Sequence, residues 1–272
     1  MKYLFLILIS FSLYHAQTFL DKQKELADSL FEAGNYFDAV TEYKRLKFFD
    51  HNSKYSFITN YKIGLCYKAG AKFDFSLSFL SKAYPFASSD KEKFALKEQM
   101  IRVNILRRTT ANAHSLLNEL AKEANYSENN VSYWRGWIYM FEDKWELAAA
   151  EFSKISSGEK LKKLCESVNN DKYSVTLAKI ISYILPGSGQ FYSGNYLSGI
   201  MSLGWNILWG FTTVNAFLEE RIFDGIMVGD LLWLRFYRGN IQNAEKFARQ
   251  KNTEIINEAY RYLENSYEGI KP

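Results

Sequence analysis

The 272-residue sequence is poor in the residues that build disulfide scaffolds and metal sites, with two cysteines, three histidines and three prolines. Cys66 and Cys165 are too few for a disulfide framework or a cysteine-rich metal site, so we expect each to be a small buried apolar residue. The histidines are far apart in sequence, which argues against a histidine-based metal site. Scarce proline favours long helices. We therefore expect a helical protein that holds no metal and no cofactor.

The chain also lacks a strong excess of one charge, since 34 basic and 30 acidic residues give a formal net charge of +4. This balance argues against a nucleic-acid partner. No nucleophile lies beside a general base in a recognisable motif, so we expect no catalytic residues and no enzymatic activity. Aromatic residues, by contrast, make up 17% of the chain. Aromatic side chains favour interfaces with membranes or with other proteins.

The N-terminus has the order of segments found in export signals. Met1 and Lys2 form a short positive start, Tyr3 to Tyr14 is largely apolar, and Ala16 precedes the expected cleavage site. The apolar run is shorter than the ~20 residues of a spanning helix. Residues 1–17 are therefore predicted to be a signal peptide that exports the chain to the cell envelope. An uncleaved anchor or a buried first helix is the alternative.

Residues 18–157 contain a pattern that recurs every 35 to 37 residues, with equivalent points at Ala27, Gly64, Ile101 and Gly136. A period of this length is typical of repeats built from helix pairs. A small residue at the equivalent point lets the second helix of a unit approach the first. The pattern therefore predicts four such units.

A second small residue lies twelve positions after the equivalent point, and an aromatic residue lies four positions after that. The pairs are Ala39 with Tyr43, and Ala148 with Phe152. Residues four apart share one face of a helix, so both members of each pair should point into the packing between helices. We expect these motif side chains to hold the fold together and not to bind a ligand.

Segments 31–40 and 139–148 of this pattern resemble tetratricopeptide repeats. The resemblance covers about half of the chain, and its third unit depends mainly on the spacing. It implies a solenoid of stacked helix pairs, and a curved surface that binds a protein partner. After it, residues 158–172 are polar and are predicted to be a connector.

The second half of the chain has a long segment without charge. From Ile180 to Leu218 there are 39 consecutive residues with no Asp, Glu, Lys or Arg. Within it, the 23 residues Tyr196–Leu218 are long enough to span a ~30 Å hydrocarbon core. We predict that residues 173–240 form an apolar, membrane-associated helical hairpin, and that residues 241–272 form an amphipathic C-terminal helix.

A glycine-rich turn precedes the long apolar segment. Proline and glycine break a helix there. We expect Gly189 to allow a backbone conformation that is strained for other residues. We expect the Gln190 side chain to bond backbone groups freed by the turn. The stretch resembles the Pro-Gly-x-Gly-Gln-x-Tyr-x-Gly motif that begins small two-helix membrane domains in bacteria, with a matching tail at residues 239–241. The matching residues are Pro186, Gly187, Gly189, Gln190, Tyr192 and Gly194. The resemblance implies a membrane assignment and no reaction.

Two carboxylates lie in the second apolar stretch, at Asp224 and Asp230. Carboxylates in apolar surroundings are candidates for function. The alternative is that both lie at the aqueous ends of a short helix.

These observations favour an exported, membrane-associated scaffold whose helical repeats bind a protein partner in the bacterial envelope. One alternative is a soluble envelope protein whose apolar segment is a buried core or a partner-binding surface. The other is a transport-associated component that uses Asp224, Asp230 or the glycine-rich turn.

Overall fold

The computed structural model describes residues 19–272, and within this range it consists of helices without any β-strand. The prediction of an all-α fold is confirmed. The predicted signal peptide, residues 1–17, lies outside the described residues. Contacts divide the chain into two compact units, of which the first extends to Lys163 and includes Ile270–Pro272, and the second is Leu164–Gly269.

The first unit is a succession of helices joined by short turns. They are α1 (residues 19–32), α2 (Tyr36–Phe49), α3 (Ser56–Ala69), α4 (Phe73–Ala83), α5 (Asp90–Leu106), α6 (Thr110–Leu120), α7 (Glu128–Phe141) and α8 (Trp145–Phe152). The following helix, α9 (Glu159–Asp171), contains the division between the two units. The polar stretch predicted to be a connector is therefore helical over most of its length.

The same left-handed turn joins α1 to α2, α3 to α4, α5 to α6 and α7 to α8. Its central residues are Gly34, Ala71, Arg108 and Asp143, with φ values of 78°, 54°, 61° and 62°. In each turn, the residue after the central one donates its backbone N–H to a carbonyl group. The accepting carbonyl belongs to the residue five positions before the donor, and the bond is 2.8–2.9 Å long. This bond satisfies a carbonyl group that the end of the helix leaves without a partner. The turn recurs with the spacing of the sequence pattern.

Five positions after the central residue of each turn lies a small, buried residue. These residues are Ala39, Ser76, Ala113 and Ala148. The glycines of the preceding helices lie under large side chains. A Cβ atom on Gly64 would lie 2.8 Å from Cγ of Leu80, and one on Gly136 would lie 2.6 Å from Cζ of Phe152. The paired helices thus approach closely at these points, while the assignment to the tetratricopeptide family stays a prediction.

The first helix pair shares a core with α3. Ala27, Ala39, Tyr43, Ile63 and Cys66 are buried together. The Tyr43 hydroxyl also donates to a carboxylate oxygen of Asp28 on α1 at 2.5 Å. The motif residues Ala39 and Tyr43 therefore both contact the interior of this pair.

Replacing Ala39 with tryptophan should lower the stability of the first unit, because Ala39 is fully buried in this core. Overpacking a core costs about 1–3 kcal/mol or more. The control is Thr41→Trp, which adds the same side chain at an exposed position of the same helix. Thermal unfolding of the full chain, followed by circular dichroism, should show a lower midpoint for Ala39→Trp alone. Equal midpoints for the two variants would mean that the register of the first pair is wrong.

The second unit contains three short helices, a long apolar helix and a longer final helix. They are α10 (Val175–Ile184), α11 (Ser188–Tyr192), α12 (Tyr196–Leu218), α13 (Ile222–Val228) and α14 (Leu234–Asn265), with a π-helical segment at Gly229–Trp233 that joins α13 to α14. The C-terminal helix therefore begins earlier than the predicted residue 241. The helix α12 packs against α13, the π segment and α14.

Both cysteines are free thiols, and both are buried. Burial raises the pKa of the Cys66 thiol to about 11 and that of Cys165 to about 12. Each thiol therefore stays protonated at neutral pH and behaves as a small apolar residue.

Candidate functional site

The glycine-rich turn folds into a compact polar cluster at the start of α12. The helix α10 ends before Pro186, which has no N–H group to donate to the carbonyl of Ser182. The side chain of Asn240 on α14 supplies this missing donor, with Nδ2 at 3.0 Å from the Ser182 carbonyl oxygen. Asn240 thus closes the broken end of α10.

The Asn240 side chain also accepts hydrogen bonds from three other groups. Its Oδ1 atom accepts from the backbone N–H of Gly187 at 2.7 Å, from Nε2 of Gln190 at 3.0 Å and from the Ser202 hydroxyl at 2.9 Å. Asn240 is 2% exposed and Gln190 is fully buried. Because an unpaired polar group is costly when buried, this cluster fixes α10, α11, α12 and α14 in one arrangement.

Gln190 therefore acts differently from the sequence-based expectation. Its amide group bonds the side chain and the main-chain carbonyl of Asn240, and not backbone groups of its own turn. Its Oε1 atom has no hydrogen-bond donor among the described residues. The contribution of Gln190 consequently lies in its NH2 group.

Gly189 is required for close packing, and the expectation about its backbone conformation is wrong. The glycines with positive φ in this turn are Gly187, at 94°, and Gly194, at 77°. A Cβ atom on Gly189 would lie 2.3 Å from Oγ of Ser182, 2.4 Å from the carbonyl oxygen of Ala178 and 2.6 Å from Cβ of Ala244. Hence α10 and α14 both pass directly over this position.

Tyr192 connects the turn to the start of α10. Its hydroxyl accepts a hydrogen bond from the backbone N–H of Ser174 at 3.0 Å, and its ring packs edge-on against Tyr173. Asn252 on α14 bonds both backbone groups of Tyr173, at 2.7 and 2.9 Å. The beginning of α10 is thereby attached to α11 and to α14.

The inner face of α12 is lined by small and polar residues. A Cβ atom on Gly210 would lie 3.3 Å from the Trp233 ring, and Thr213 lies 3.1 Å from the Cβ position of Gly229. The rings of Trp205, Trp209 and Phe236 form a stack and are nearly parallel. The centroids of each pair of rings are 5.4–6.3 Å apart. Small residues and flat rings together allow α12 to lie close to the π segment and α14.

The outer faces of these helices carry many exposed apolar side chains. The exposed large apolar residues of this unit from α10 to the start of α14 are Leu177, Ile180, Tyr183, Ile184, Leu185, Tyr196, Leu197, Ile200, Met201, Trp205, Ile207, Leu208, Phe211, Val214, Phe217, Leu218, Ile222, Phe223, Ile226, Met227, Leu231 and Leu234. We call this set the apolar surface. Large apolar patches on a protein surface mark sites of protein or membrane interaction.

The two candidate carboxylates are both exposed. Asp224 is exposed and faces the guanidinium group of Arg221, with Oδ2 and Nη1 3.4 Å apart. Asp230 is exposed on the π segment. No group of three or more metal-ligating side chains occurs among residues 19–272.

The helix α12 coincides with the predicted span, Tyr196–Leu218. Within the described range, however, no helix combines the length and the hydropathy that crossing a membrane demands. Membrane association of this segment stays a prediction. The polar residues that lower its apolar character include Asn206 and Thr213, which are both buried on its inner face.

Comparisons with protein-family models, with curated proteins and with solved structures found no match for this chain.

Sequence reasoning identified the glycine-rich turn and the segment around Asn240, but not the bonds that join them. It missed Ser182 and Ser202, whose polar atoms complete the cluster. One signal was present: Pro186 removes a donor from the end of α10, so a carbonyl group four residues earlier needs another partner.

Proposed function

We propose that this protein is a membrane-associated scaffold, in which the second unit contacts a lipid bilayer and the helix pairs of the first unit bind a protein partner. The apolar surface of the second unit is the observation that supports contact with a lipid bilayer. A buried apolar core would remove these side chains from solvent, yet Leu197 is 77% exposed and Phe211 is 69% exposed.

Moving a leucine, isoleucine or phenylalanine side chain from water into an apolar environment is favourable by about 1.5–3 kcal/mol. Many such side chains on one surface make contact with lipid strongly favourable in sum. The stack of Trp205, Trp209 and Phe236 and the polar cluster keep the helices paired, so their outer faces stay available.

Flotation with phosphatidylcholine vesicles tests the membrane part. We expect the full chain to float with the vesicles, and a variant carrying Ile207→Glu and Phe211→Glu to remain largely in the aqueous fraction. Both residues are exposed, at 62% and 69%, and lie one turn apart on α12. Each substitution removes about 1.5–3 kcal/mol of favourable transfer free energy and adds a charge. The partition coefficient of the protein between vesicles and water should therefore fall by at least about a hundredfold.

The matched control carries Phe37→Glu and Thr41→Glu, which place two charges at the same spacing on exposed positions of α2 in the first unit. This variant should float like the unchanged protein. If the α12 variant also floats normally, the apolar surface is not the membrane contact. If the unchanged protein stays in the aqueous fraction and self-associates, the surface is a protein interface instead.

A further inference from the structure

Three lysines of the first unit lie close to one aromatic ring. Lys82 on α4 places its ammonium nitrogen 4.8 Å from the centroid of the Phe79 ring. Lys44 and Lys47 on α2 place theirs 6.0 and 5.9 Å from the same centroid. Lys44 also donates to the Tyr67 hydroxyl at 3.2 Å.

Further aromatic rings extend this surface. The Tyr67 ring stacks on Phe79 at 5.6 Å and on Phe75 at 5.4 Å between centroids. Phe75 is 58% exposed. We call the six residues Lys44, Lys47, Tyr67, Phe75, Phe79 and Lys82 the Phe79 patch.

Within residues 19–272, no carboxylate forms an ion pair with Lys44, Lys47 or Lys82. Lys47 donates to the amide oxygen of Asn60 at 2.8 Å, which is a neutral partner. The carboxylate of Asp74 on α4 pairs with Arg107 at 2.7 Å, and that of Glu42 on α2 pairs with Arg45 at 2.8 Å. Residues 1–18 contain no Asp or Glu.

Two further carboxylates lie on or beside α2, which ends at Phe49. Asp50 accepts hydrogen bonds from the backbone N–H groups of Lys54 and Tyr55, and Asp38 lies in the first turn of the helix. Burial, together with repulsion from Lys82, lowers the pKa of Lys47. A bound anion would relieve this repulsion.

We propose that the Phe79 patch binds an acidic, aromatic-containing segment of a protein partner. This inference rests on the proposed partner-binding role of the first unit and names the chemistry of the partner. Glutamate or aspartate side chains of the segment pair with the three ammonium groups. Its apolar side chains pack on Phe75 and Tyr67, whose rings supply contact area at little cost in conformational entropy.

The distribution of charge favours an extended segment over a single phosphate group. The three ammonium groups lie 4.8–6.0 Å from the centroid of the Phe79 ring. Arginine, which binds phosphate in a bidentate fashion, is not part of the patch. A chain with carboxylates spaced along it, by contrast, reaches several lysines while it covers the rings between them.

The probe is a fluorescein-labelled peptide that alternates glutamate and phenylalanine, and the measurement is fluorescence anisotropy with the full chain at low salt. The test variant carries Lys44→Gln and Lys82→Gln. The control variant carries Lys91→Gln and Lys122→Gln, which remove the same charge at exposed positions elsewhere in the first unit. We expect the test variant to bind about five- to tenfold more weakly, and the control to bind like the unchanged protein.

A peptide with lysine in place of glutamate should not bind, and added salt should weaken binding of the acidic peptide. Equal affinities for the two variants would overturn the proposal, as would absence of binding to the unchanged protein. So would a result in which the test variant loses binding only to anionic vesicles, because the patch would then be a lipid contact. Flotation with neutral vesicles is independent of these lysines, so failure of the membrane proposal is recognised separately.

Discussion

Gly189→Ala should destabilise the second unit by about 3 kcal/mol or more, although it adds a single methyl group. The added Cβ atom would lie 2.4 Å from the carbonyl oxygen of Ala178 and 2.6 Å from Cβ of Ala244. Both are rigid parts of helices, so neither is able to move away without displacing α10 or α14. Hydrogen exchange with mass spectrometry should show lost protection in α10, α11 and α12, while α7 in the first unit keeps its protection.

The matched control is Gly239→Ala, one residue before Asn240. No atom lies within 4 Å of a Cβ atom built at Gly239, and this glycine is inside α14. Alanine is favoured over glycine within a helix by about 0.5–1 kcal/mol, so the control should be slightly more stable than the unchanged protein. If both variants exchange like the unchanged chain, α10 and α14 do not approach as closely as the structure places them.

Asn240→Leu should have the second large effect, a loss of about 2–5 kcal/mol in the free energy of unfolding of the second unit. Leucine has nearly the same shape as asparagine but neither donates nor accepts hydrogen bonds. The substitution leaves the backbone N–H of Gly187 and the carbonyl of Ser182 buried without their partners. Each such loss costs about 1–3 kcal/mol.

Urea denaturation followed by far-ultraviolet circular dichroism measures this loss. The control is Asn243→Leu, the same chemical change at an exposed position one turn further along α14, which should shift the stability by no more than about 0.5 kcal/mol. Similar midpoints for Asn240→Leu and Asn243→Leu would show that the polar cluster contributes little to stability.

The sequence allowed the helical class and several packing positions to be anticipated, because these depend on local pattern. Small residues at 27, 39 and 148 and large residues at 43 and 152 lie in the interior, where the spacing predicts them. Each of these positions is explained by the geometry of one helix pair. The apolar segment 196–218 likewise coincides with a helix, since it contains no proline or charge that would end one.

Interactions between residues far apart in the sequence could not be predicted from the local pattern. Gln190 and Asn240 are 50 residues apart, and the direction of the Gln190 side chain is decided by the helix that packs on it. The need for glycine at 189 was assigned to the backbone conformation, whereas it follows from two neighbouring helices. The lysines around Phe79 come from two helices, α2 and α4, so their proximity to one ring is not visible in the local pattern.

The left-handed turn of the first unit also occurs in the second, at Gly194 and Glu220, with φ values of 77° and 61°. In both places the next N–H group again donates to the carbonyl five residues earlier. The same backbone geometry thus recurs although the residue type at the centre of the turn differs. The helix pair α5 and α6 is an example. Ile101 stands there in place of a small residue, while Arg108 keeps the φ value of the turn, 61°.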